Sequence, residues 1–176
     1  MIIENLEIEY KCLVSLSDYQ KIVNHFASEI KTITQINTYY QDLDNNISKL
    51  KGTLRKREFS NTSIFTLKIP SKKGLLEYEV ETTDIENEEL NKLLNKYQLS
   101  QPLKVIGQLK TIRRKVILAQ GELCLDENHY NNKIDYEIEY ECTEKHDGKK
   151  AFITILKELD INYTENLISK YLRATS

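Results

Sequence analysis

The chain has 176 residues, 40% of them hydrophobic and 30% charged, with a formal net charge of −2. That length suits a single domain with a real core, 1–176, and the composition excludes a disordered chain. The near-neutral balance gives no reason to expect nucleic acid or anionic lipid as a partner, and clusters such as Lys72-Lys73 and Arg113-Arg114-Lys115 are too short to change that.

Strict alternation of apolar and polar residues marks strands, and apolar residues three and four apart mark helices. Residues Asn5 to Lys11, NLEIEYK, alternate one for one and predict a first strand over about Ile3 to Val14. A helix is predicted from about Asp18 to Ile30, with Ser17 and Gln20 as a capping box and Tyr19, Ile22, Val23, Phe26, Ala27 and Ile30 as its apolar stripe. Strands follow over Asn37 to Asp42, Thr53 to Phe59 and Ser63 to Pro70, the last two joined by a hairpin turn at Ser60-Asn61-Thr62. Leu76 to Thr82 alternates again, and Thr83 with Glu86 caps a helix striped by Leu90, Leu93, Leu94 and Tyr97. Two strands, about Ile106 to Leu118 and Glu122 to Glu127, meet at Ala119-Gln120-Gly121, and the segment Asp135 to Glu141, DYEIEYE, is the last. Helices over about Lys150 to Leu159 and Glu165 to Arg173 close the chain. Eight strands with mostly short connections predict an antiparallel sheet in an α+β protein.

Several chemistries lack support. Cys12, Cys124 and Cys142 are odd in number and without metal-ligand spacing, so they read as reduced thiols of a cytoplasmic protein. His25, His129 and His146 form no close pair, which leaves a His-based zinc site or a Ser-His-Asp triad without a basis and gives each a surface or loop role. There is no glycine-rich phosphate loop, no run long enough to span a bilayer, and no secretory leader expected in MIIENLEIEY.

Sorting the strands by parity isolates the informative feature. One face collects Glu7, Glu9 and Lys11; Thr53, Arg55 and Arg57; Thr66 and Lys68; Glu77, Glu79 and Glu81; Thr111, Arg113 and Lys115; Cys124 and Asp126; and Asp135, Glu137, Glu139 and Glu141. A sheet with one face in water produces such alternation. Strands disfavour Glu and Lys, however, and here acids clump on some strands and bases on others. Paired carboxylates suit a hard divalent cation, Mg²⁺, Mn²⁺ or Ca²⁺, and arginines two apart suit the oxygens of a polyanion. Eight strands can close into a barrel that holds side chains or one small ligand. Turned inside out, with a charged interior and its apolar exterior covered by the amphipathic helices, such a barrel accommodates both sets of stripes.

The same residues carry a family resemblance. EIEYK, Glu7 to Lys11, resembles the Glu-x-Glu-x-Lys signature of the CYTH superfamily, the triphosphate tunnel metalloenzymes. In the family's order, Leu54-Arg55-Lys56-Arg57 resembles its Arg-x-Arg strand, Thr66-Leu67-Lys68 its strand lysine, and Glu77-Tyr78-Glu79 the acidic strand after it. Thr111-Ile112-Arg113-Arg114 and Leu123-Cys124-Leu125-Asp126 resemble the next pair, DYEIEYE the second Glu-x-Glu element, and Ser169-Lys170 a C-terminal helix whose lysine reaches the tunnel. The resemblance covers essentially the whole chain and is nearest to a small bacterial branch often labelled adenylate cyclases. It implies an eight-stranded antiparallel tunnel and metal-dependent hydrolysis of a small-molecule triphosphate, inorganic or organic, in a monomer or homodimer. Class IV-type adenylate cyclization and non-catalytic polyphosphate binding are the alternatives. It further implies Glu7, Glu9, Glu79, Asp126, Glu137 and Glu139 as ligands of Mg²⁺ or Mn²⁺, and Lys11, Arg55, Arg57, Lys68, Arg113 and Lys170 as phosphate ligands. Glu9, Glu137 and Lys11 are expected to act in the chemistry. One departure stands out: many members carry two basic residues two apart on the sixth strand, and Thr111 takes the first of those places. Glu81, Glu141 and Lys115 are expected at the rim, facing solvent, Lys56 and Arg114 on the outer surface, and Tyr39 and Tyr40 in packing.

Overall fold

The computed structural model describes residues 1–72, 74–142 and 147–176, so Lys73 of the short basic pair and His146 lie outside the described residues. In chain order the elements are β1 (Ile2–Val14), α1 (Leu16–His25), β2 (Lys31–Gln41), α2 (Asn46–Lys49), β3 (Thr53–Phe59), β4 (Thr62–Pro70), β5 (Leu75–Glu81), α3 (Glu88–Lys96), β6 (Lys104–Leu118), β7 (Gly121–Tyr130), β8 (Lys133–Cys142), α4 (Gly148–Glu158) and α5 (Lys170–Thr175). The strands close into an antiparallel barrel in the order β1-β5-β4-β3-β2-β6-β7-β8, as the inside-out reading predicts. A closed barrel leaves no strand edge unpaired.

Every predicted strand is present, and the differences lie mostly at helix ends. The cap of α1 is Ser15, whose hydroxyl accepts from the Asp18 amide at 3.1 Å, so the helix starts before the expected box at Ser17 and stops at His25. The expected cap at Thr83 is displaced to Asn87, which accepts from the amides of Glu89 and Leu90. The cause is local: the Thr82 hydroxyl accepts from the Asp84 amide and the Asp84 carboxylate from the Glu86 amide, which commits these residues to a turn. The last helix begins at Lys170 rather than Glu165, and α2, a single turn, is too short to leave a periodic signal.

By proximity the chain divides into two compact units, residues 1–6, 35–109 and 170–176 forming one and residues 7–34 and 110–169 the other. In the first, α2 packs on β3 and α3 on β5. Ile47, Leu90, Leu93 and Leu94 from the helices meet Leu54, Phe65, Leu67, Tyr78 and Val80 from the strands. In the second, α1 and α4 pack on β8, joining Tyr19, Ile22, Phe152 and Leu156 to Leu123, Leu125, Ile138 and Tyr140. Both apolar cores therefore lie on the helix side of the strands, opposite the charged parity. Among the described residues no helix is long and apolar enough to cross a membrane.

Candidate active site

The centre of the charged faces is withdrawn from solvent. Arg55 is 9% exposed, Arg113 5%, Glu139 4%, and Asp126 and Glu137 0%, values far below those of a solvated sheet face. The reading of these residues as a wetted surface fails at this point.

In the first unit the ladder sets Arg55 opposite Thr66, and Thr66 opposite Glu79. The Arg55 Nη2 donates to the Thr66 hydroxyl at 3.4 Å, while its buried Nε has no hydrogen-bond partner. Lys68 stands opposite Glu77 and pairs with it at 2.6 Å. Burial works against ionisation of Glu77, but Lys68, with Arg55 and Arg57 behind it, holds the carboxyl below its ordinary value. The Nε of Arg57 donates to Asn37 at 3.2 Å. This face gathers three cations around the carboxylates of Glu77 and Glu79, and a buried guanidinium with an unused N–H suits an anion. Lys170 opens α5 and is half-buried. Tyr39 packs edge-to-face on Tyr171, with ring centroids 5.5 Å apart, and Tyr40 tilts against Phe65, both in the packing roles expected of them.

In the second unit register decides the contacts. Lys11 stands opposite Glu139 and Glu9 opposite Glu141 across β1 and β8, and the Lys11 amine pairs with Glu9 at 2.5 Å. Burial disfavours the Lys11 cation, yet Glu9, Glu139 and Glu137 outweigh it and raise its pKa. Across β6, β7 and β8, Arg113 faces Asp126, which faces Glu137. The guanidinium grips Asp126 with two hydrogen bonds of 2.8 and 2.7 Å, bonds Glu139 at 2.5 Å, and reaches Glu141 at 3.4 Å. Burial opposes its charge, but Asp126, Cys124 and Glu139 keep the Arg113 pKa well above the ordinary value.

Glu7, Glu9 and Glu141 bring carboxylate oxygens within 4.8 Å of one another. Three such hard oxygen donors suit a hard divalent cation, and this grouping corrects the rim assignment of Glu141. Its place opposite both Glu9 and Glu122 turns it into the cluster. Lys115 likewise is half-buried and pairs with Glu122 at 2.7 Å, whereas Glu81 is exposed as expected. Lys56 and Arg114 lie on the helix-side parity, the latter donating to Tyr19 at 2.7 Å. At Thr111 the missing basic residue is replaced by a neutral link: its hydroxyl donates to Asn128 at 2.9 Å, and Asn128 donates to Asp135 at 3.0 Å.

Among the buried polar residues that escaped the sequence reading, Asn128 and Asn166 touch the charged faces directly. Asn166, in the stretch between α4 and α5, donates its side-chain amide to Glu137 at 2.5 Å and its backbone N–H to the Lys11 carbonyl at 2.9 Å. The sequence reading puts Asn166 inside the expected helix over Glu165 to Arg173, where a lone asparagine gives no sign of a buried partner.

Comparison with known proteins agrees with this geometry. The family model described as the CYTH domain matches residues 5–169. A Bacillus subtilis protein named "Putative triphosphatase YjbK" is 28% identical over 180 residues, covering 96% of this chain and 95% of its own. A crystal structure from Bacillus halodurans, described as that of a "putative adenylate cyclase", superposes with a TM-score of 0.81 at 32% identity, over 94% of this chain and 96% of that one. HpAC1 from Hippeastrum, named a "putative adenylyl cyclase" and described as having a dominant triphosphatase activity, matches with a TM-score of 0.79 at 22% identity, over 96% and 95% of the two chains.

Proposed function

The chain belongs to the CYTH domain family, and from that premise we infer that it is a divalent-metal-dependent triphosphatase that releases the terminal phosphate of a small-molecule triphosphate. The observation that carries this reading is the burial of oppositely charged side chains on the strand faces turned away from the helices, with Arg55 at 9% and Glu137 at 0% exposure. The name of YjbK and the triphosphatase activity described for HpAC1 support hydrolysis as the reaction.

Arg55, Arg57 and Lys68, with Lys170, bind the phosphate oxygens. Guanidinium forks offer paired donors to each phosphate, and fixed cations offset the charge that grows on the leaving oxygen. Lys11, held as a cation by its acidic neighbours, serves the transferred group. Glu7, Glu9, Glu137 and Glu139 would hold Mg²⁺ or Mn²⁺, with Glu79 and Asp126 as auxiliary ligands and Glu141 joining Glu7 and Glu9. The ion supplies positive charge to non-bridging oxygens and makes water a better nucleophile. Arg113, the other cation expected at the phosphates, also steadies Asp126 and Glu139. A carboxylate from this set, Glu9 or Glu137, orients the attacking water and receives its proton.

The test incubates purified protein with inorganic tripolyphosphate, ATP or thiamine triphosphate plus Mg²⁺ or Mn²⁺, then resolves the products. Phosphate with the corresponding diphosphate is expected. Pyrophosphate with a cyclic nucleotide would make it a cyclase, and tight binding without product a sensing module. Glu9→Gln and Glu137→Gln should each lower turnover by at least about 100-fold with the fold intact. Full activity in either removes that residue from the chemistry.

A further inference from the structure

Resting on the phosphate-binding role given to Arg55 above, we propose that Thr66 is a positioning residue whose hydroxyl keeps Arg55 and Glu79 from pairing, so that the guanidinium stays open to phosphate oxygens. The three residues lie in one row across β3, β4 and β5, with Arg55 opposite Thr66 and Thr66 opposite Glu79. Thr66 is 1% exposed and touches both charges. Its hydroxyl accepts from the Arg55 Nη2 at 3.4 Å and donates to the Glu79 Oε1 at 3.5 Å. Neither charged group has an ion-pair partner among the described residues, and the buried Arg55 Nε has no hydrogen-bond partner.

A buried cation is destabilising without an opposite charge, and Glu79 stands only two strands away, about 10 Å between backbones. Two long side chains can close that gap. The adjacent row shows what happens when nothing intervenes: Lys68 and Glu77 stand directly opposite and pair at 2.6 Å. In the Arg55 row the hydroxyl gives each charge a neutral partner instead. Both contacts are long, so they part the charges without clamping either, and a phosphate has little to displace. Arg55 still lowers the Glu77 pKa through its field, but forms no bond with that carboxylate.

Urea unfolding without metal or substrate reads the coupling between Arg55→Met and Glu79→Gln as a double-mutant cycle in three backgrounds: wild type, Thr66→Ala and Thr66→Val. The coupling should change the folding constant by less than about twofold in wild type and by more than about tenfold in either hydroxyl-free background, where the two charges meet. Turnover gives a second reading. At saturating Mn²⁺ the KM for tripolyphosphate should rise about tenfold in both variants, because pairing of Arg55 about nine-tenths of the time leaves about one-tenth of the protein competent to bind. The kcat should stay within about twofold, and Thr66→Ser should match wild type in both measurements. Wild-type coupling as large as that of the variants overturns the proposal. So does an unchanged KM in a folded variant, or loss of folding in both, which would make Thr66 a scaffold residue. The proposed function fails separately: wild type that turns over none of the three triphosphates removes the phosphate assignment, while the coupling still decides whether Thr66 parts the two charges.

Discussion

Arg55 and Arg113 are both arginines on the charged parity of a strand, and their surroundings separate them. Arg113 is clasped by Asp126, Glu139 and Glu141. Removing it leaves buried carboxylates uncompensated, so Arg113→Met should cost about 3–5 kcal/mol of stability, read from urea unfolding. Arg55 makes one long bond to Thr66 and has an unused Nε. Arg55→Met should change stability by under about 1 kcal/mol, since little pairing is lost, while weakening triphosphate binding severalfold in titration calorimetry. Equal destabilisation by the two variants would assign Arg55 to the scaffold. Sequence alone could not separate them: parity places both on one face, but only the β6-β7-β8 register puts three acids around one of them.

At the scale of elements, the helices exist to cover what the barrel turns outward. In α4, Phe152 is fully buried and its ring stacks on Tyr140 of β8 at 6.2 Å between centroids. Phe152→Ala should cost about 3–5 kcal/mol and loosen α4 from β8 before the barrel itself opens, visible as early hydrogen exchange confined to α4. Exchange that stays global would mean that helix and strands unfold as one unit. The amphipathic stripes of α1 and α3 were legible because a 3.6-residue period survives errors in the endpoints. Their caps were not, because several Ser, Thr, Asp and Asn residues compete near each start and turn geometry selects among them.

For the whole molecule, the buried thiol and phenol groups make an alkaline prediction. Burial, helped by Glu137, pushes the Cys12 thiol from 9.0 up to about 12. Burial also takes Tyr19 from 10.0 up to about 12, against the pull of Arg114. Raised values mean that the folded state retains protons that the unfolded chain releases. The stabilisation is therefore full below pH 9.0 and is lost progressively as pH rises toward about 12. Urea midpoints should fall between about pH 9 and about pH 12, and less steeply in Cys12→Ala. An identical slope in Cys12→Ala and Tyr19→Phe would locate the alkaline transition elsewhere.

The sequence by itself determined the eight strands, the inside-out barrel and the membership of the charged faces, because alternation with a period of two needs no knowledge of partners. It also carried the family signature, since Glu7 to Lys11 and Asp135 to Glu141 are contiguous. Only the tertiary structure decided which charges meet. Glu141 joins Glu7 and Glu9, Arg113 is surrounded by acids, and Asn166 reaches Glu137 across 29 positions of chain. Those contacts depend on strand register and on the path of an aperiodic segment, and neither leaves a repeating mark on the residues that make them.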